Sequence, residues 1–142
     1  HAEQYDRRDQ PRERLPTTEE LTMIRDAIML PHLMTIVQRG IDRTGNTVLN
    51  PLHAKLDKLL MDRIAKDLYD LRRELRQRNI RIVSDEMGDD TLYYRYVCRG
   101  HHDRFAIVRE VLKSQISIRL GKYYDEMCKS VVEQFVNKPS PV

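Results

Sequence analysis

The chain has 142 residues, 40% hydrophobic and 33% charged, with 5 glycines and a formal charge of +3. That length suffices for one domain with a real core, and the balance suits a helix-rich soluble protein. No apolar run approaches the roughly 20 residues that cross a bilayer, and the charged N-terminus lacks a secretion signal's apolar stretch.

Residues 1–15 (HAEQYDRRDQPRERL) are charged and nearly free of aliphatics, and read as a flexible arm. Residues 137–142 read as a flexible tail, leaving 16–136 as a single domain. Its first helix opens on a capping box in which Thr17 is the N-cap and Glu20 reaches back. Leu21, Ile24 and Ile28 share one face. Pro31 has no N–H and clashes with the preceding turn, so a break is expected there. PHLMTIVQRG then reads as a second short helix ending near Gly40. In the turn-rich connection that follows, 47–49 has the composition of a very short strand.

Asn50 and Pro51 supply a cap and an N1 proline for a long helix. Leu52, Leu56, Leu59, Leu60, Ile64, Leu68, Leu71 and Leu75 recur at spacings of three and four, an amphipathic stripe about 40 Å long at roughly 1.5 Å per residue. The opposite side alternates in sign through Lys58, Asp62, Lys66 and Asp70, as a solvated face does.

A β-hairpin is expected at 80–99, around the acidic turn DEMGDD. Pairing Glu86 with Asp90 gathers Ile80, Ile82, Tyr94, Tyr96 and Cys98 on the core face. Arg81, Val83, Tyr93, Arg95, Val97 and Arg99 then face outward, with Arg81 directly opposite Arg95. Such a like-charge pair is tolerable if an anion lies between them. A final helix is expected from the N-cap Asp103, with a stripe of Phe105, Val108, Leu112, Ile116, Leu120, Tyr123, Met127, Val131 and Phe135. Ile107, Val111 and Ile118 widen its apolar side, and Tyr and Met favour interfaces, so a homodimer through 105–135 is expected.

The fold class is therefore α+β, mainly α, with one small β-hairpin and a long C-terminal helix. Catalytic signatures and a glycine-rich phosphate loop are missing, so a non-enzymatic protein without cofactor is expected. Cys98 with His101 lacks a second ligand pair for zinc, and DEMGDD lacks the spacing of a calcium loop. Two cysteines, Cys98 and Cys128, in a chain of this size fit a cytoplasmic location.

The chemistry concentrates in arginine, which outnumbers lysine 18 to 7. Its planar fork suits phosphate and carboxylate. Arg72, Arg73, Arg76, Arg78 and Arg81 lie within ten residues containing one acid, Glu74. With Tyr93, Arg95 and Arg99 they form the candidate contact surface. The order of helices, hairpin and long last helix resembles a winged-helix DNA-binding domain with a C-terminal dimerisation helix, over Thr18 to Val136. That resemblance rests on element order and implies contact with DNA, with the acidic tip pointing away from phosphate. Two functions follow: a nucleic-acid-associated or regulatory protein, or a small adaptor or inhibitor that binds an acidic protein partner through the same surface.

Overall fold

The computed structural model describes residues 14–43 and 50–137. Most of the expected arm, the strand at 47–49 and residues 138–142 of the tail lie outside the described residues. The elements are α1 (Thr18–Arg43), α2 (Asn50–Gln77), β1 (Ile80–Met87), β2 (Thr91–Cys98), β3 (His101–Val108) and α3 (Arg109–Asn137). The α+β, mainly α class holds. Among the described residues no helix is long and apolar enough to cross a membrane.

The capping box forms as read: Thr17 Oγ1 accepts from the Glu20 amide at 3.1 Å, and Glu20 Oε1 accepts from the Thr17 amide at 3.0 Å. The break at Pro31 does not occur. α1 runs unbroken through Pro31 and past Gly40 to Arg43. Burial on both sides of the proline explains this, since Ile28, Met29 and Leu30 before it and Leu33 and Val37 after it all reach the core. Their packing outweighs the roughly 3 kcal/mol that an interior proline costs. α2 carries its expected stripe, with Leu60, Ile64, Leu68 and Leu75 buried, although Leu59 is exposed. Asn79 stops it in the left-handed region (φ 58°), its amide donating to the Arg76 carbonyl at 3.0 Å.

The hairpin is instead a three-stranded antiparallel sheet in the order β1-β2-β3. Residues 101–108, expected to start the last helix, form its third strand, so Asp103 is no N-cap and Phe105 and Val108 belong to the sheet. Arg99 and Gly100, with φ of 48° and 85°, make the two-residue turn whose twist matches a hairpin. α3 starts at Arg109, whose amide donates to the Asp90 carbonyl at 2.9 Å.

The core face is as expected, because Ile80, Tyr94, Tyr96 and Cys98 are all buried. The register differs by two residues, which preserves the faces and changes the partners: Arg81 lies opposite Val97, and Ile80 opposite Cys98. A bulge between Ile82 and Ser84 then sets Ser84 opposite Arg95.

α1 lies along the core face of the sheet. Near its start Glu20 meets Arg99, and a little over three turns on His32 meets Tyr94, so it runs antiparallel to β2. α3 is tied to α1 by Arg119–Asp26 (3.0 Å) and to α2 by Arg63–Glu126 (2.9 Å). Tyr123 adds a third link, donating to Asp67 Oδ2 at 2.6 Å. Burial and the neighbouring Asp67 carboxylate push its hydroxyl well above the ordinary tyrosine range, so it remains a donor at all physiological pH. Tyr123→Phe is expected to lower stability by about 1–3 kcal/mol, the usual scale for a hydrogen bond to a charged group, read as a lower urea midpoint at unchanged slope.

Candidate functional site

Seven of the eight candidate residues fall into three groups, and Arg73 stands apart. Arg78 and Arg99 form a charge cluster around Glu20, a residue only 4% exposed. Arg99 Nη2 and Nη1 reach the two Glu20 oxygens at 2.9 and 3.1 Å, and also donate to the carbonyls of Leu15 and Arg78. Arg78 bonds Glu74 at 3.0 Å and lies 3.6 Å from both Glu19 and Glu20. The Arg99 hydrogen bonds are the main reason the Glu20 carboxyl is held down at about 2; burial opposes them, and the Thr17 amide and the charges of Arg99 and Arg78 reinforce them. Reciprocally, Glu20 raises Arg99 and Glu74 raises Arg78. These two arginines hold the fold together and are engaged by carboxylates of their own chain. Arg99 does not share the outer sheet face, because its backbone forms the turn and its side chain points to the start of α1.

The outer sheet face carries Tyr93 and Arg95. The like-charge conflict expected between Arg81 and Arg95 falls one strand over, where Arg95 is opposite Arg104. Glu86 resolves it, lying 3.3 Å from Arg95 and 3.7 Å from Arg104. Arg104 also stacks over the Tyr93 ring at 4.9 Å from its centroid. The anion between the two guanidinium groups is thus the protein's own.

Arg72, Arg76 and Arg81 form the third group, around a cleft of about 740 Å³ between α1, the end of α2 and β1. Ala27, Ile28, Pro31, Leu75, Ile80 and Ile82 give it an apolar lining. Two polar groups meet there, His32 Nε2 and the Tyr94 hydroxyl, sharing a hydrogen bond of 3.0 Å. Among the described residues none of Arg72, Arg76 and Arg81 is paired with a carboxylate, and all three are exposed. Arg73 is exposed on α2 and does not line the cleft. Exposed cations around an apolar floor attract an anion and give it a partly desolvated seat.

The model of the YhjD protein family matches residues 15–128. The chain belongs to this family. No curated protein and no solved structure matches it. The YhjD match spans α1, α2, the whole sheet and much of α3, so every residue lining the cleft lies within the family's unit. His32 and Pro31 were not foreseen as cleft residues, because each stands alone in the sequence. Nor was Arg104 foreseen beside Tyr93. The signal available was Arg99-Gly100, a two-residue turn that predicts a third strand and brings Arg104 onto the outer face.

Proposed function

We propose that the chain is a non-catalytic binding protein of the cytoplasm, an adaptor or inhibitor that holds an acidic segment of a protein partner in the Arg72/Arg76/Arg81 cleft. One observation carries the reading: three exposed guanidinium groups without carboxylate partners among the described residues surround an apolar concavity. Phosphate backbones ask for a different surface, a broad basic face with little need for an apolar floor. On the outer sheet face Glu86 already occupies Arg95 and Arg104, and Asp89 and Asp90 add negative charge at its tip. The free thiols Cys98 and Cys128 support the reducing compartment.

The test compares a labelled glutamate-rich peptide with random duplex DNA by fluorescence anisotropy. Arg72→Glu/Arg76→Glu is expected to weaken the peptide at least about tenfold, and Arg95→Glu to leave it unchanged. Salt-dependent binding of the duplex without binding of the peptide would return the nucleic-acid reading to first place.

A further inference from the structure

Resting on the reading just given, we infer that the cleft takes its acidic partner as an extended strand, added to the open edge of β1 at Ile80–Ile82. β1 is an edge strand, with β2 on one side only. Its backbone polarity at this point follows from two independent contacts. The Arg99 amide donates to the Asn79 carbonyl at 2.8 Å, so Asn79 directs its carbonyl toward β2. The orientation alternates along an antiparallel pair, so Arg81 also faces β2 and Ile80 and Ile82 face away. The two-residue turn gives the same result, because it makes Cys98 exchange hydrogen bonds with His101 and leaves none directed at its other neighbour, Ile80. The amides and carbonyls of Ile80 and Ile82 therefore point away from β2, beside the cleft that their residues line, with Ile80 almost fully covered and Ile82 half-buried.

The two edges of the sheet differ in how they guard against pairing. β3 presents His102, Asp103 and Arg104, three exposed polar residues, and is poorly suited to take up another chain. The far half of β1 is guarded by the bulge after Ile82. Ile80 to Ile82 has no bulge, and its one exposed charge, Arg81, repels a basic strand but attracts an acidic one. A row of apolar side chains on an added strand, on the same side as Ile80 and Ile82, would meet Ile28, Pro31 and Leu75. Carboxylates along it come within reach of Arg72, Arg76 and Arg81, and this charge complementarity selects an acidic partner. The chain's own acidic run at the β1–β2 turn is already engaged through Glu86.

The probe is an eight-residue peptide alternating valine and glutamate, blocked at both ends, measured by anisotropy against the whole chain. Two derivatives are N-methylated, one on every valine and the other on every glutamate. In an edge-paired strand only alternate amides face β1, so one derivative is expected to lose about 30-fold or more in affinity and the other to bind nearly as well as the parent. If both derivatives change equally, the edge pairing is overturned. Where the parent still binds and Arg72→Glu/Arg76→Glu still weakens it, the acidic-partner reading survives that result. If the parent does not bind, or duplex DNA displaces it, both readings fall.

Discussion

Glu20→Gln is expected to lower the unfolding free energy at pH 7 by about 3 kcal/mol, within the range for breaking one side of a buried ion pair. The carboxylate is nearly inaccessible, and its partners remain charged after the substitution. Arg78 keeps Glu74 and Glu19, whereas Arg99 loses the carboxylate that accepts from both its Nη atoms while keeping the carbonyls of Leu15 and Arg78. The same magnitude follows from linkage. A carboxyl moved from 4.5 to about 2 on folding stabilises the folded state by about 3 kcal/mol wherever it is ionised in both states. Because the folded value is depressed, that stabilisation is complete above about pH 4.5 and is lost as pH falls toward 2. Urea titrations between pH 7 and pH 2 check this: the wild-type midpoint should drop steeply over the acid limb, and the Glu20→Gln midpoint should drop less. A difference below 1 kcal/mol at pH 7, or parallel acid limbs, would refute it. Replacing Glu20 and Arg99 together by leucine should cost less than the two single changes combined, since neither charge is then left behind.

Pro31→Ala is expected to act in the opposite direction. The proline denies the Ala27 carbonyl its helical donor, and an interior proline costs about 3 kcal/mol relative to alanine. Two terms reduce the gain: the freer unfolded chain, at roughly 0.4–1 kcal/mol, and the lost contacts of a half-buried ring. The net is a stabilisation of about 1–2 kcal/mol, visible as a melting temperature several degrees higher. Because Pro31 lines the cleft, the same variant should bind the acidic peptide more weakly. More stability with weaker binding would mark the proline as a functional residue kept at the expense of the helix. Equal or lower stability would mean that the surrounding packing already satisfies the Ala27 carbonyl.

Much of the fold was legible wherever one local rule governs a segment. The capping box at Thr17 and Glu20, the apolar stripe of α2 and the core face of the hairpin are all fixed by spacing within a few residues. The errors arose where packing between distant segments decides. Pro31 signals a break, yet buried neighbours on both sides carry the helix through it. Phe105, Val108 and Leu112 fit a helical period, but within residues 101–108 it is Ile107 that is buried, and the turn at Arg99-Gly100 makes that segment a strand. The pairing register differs because the turn closes at Met87 and Leu92, so Glu86 pairs three residues further on than expected, and the bulge after Ile82, which leaves no mark in composition, reduces the difference to two.

The candidate surface was legible only in part for a similar reason. Five arginines in ten residues announce basic character, but not which carboxylate answers each one. Glu20 looked like a capping residue with a purely local role, and nothing near it in sequence points to Arg99. The cleft is made by Arg72, Arg76 and Arg81 together with residues of α1, and only the tertiary arrangement brings them together.

The double role of Glu20 has a consequence for the order of assembly. The carboxylate that starts α1 also closes onto a turn 79 residues further along the chain. The first turn of α1 forms quickly from local signals, yet its terminus becomes secure only after both hairpins are built, so the helix start and the β2–β3 turn are completed in one late, cooperative step.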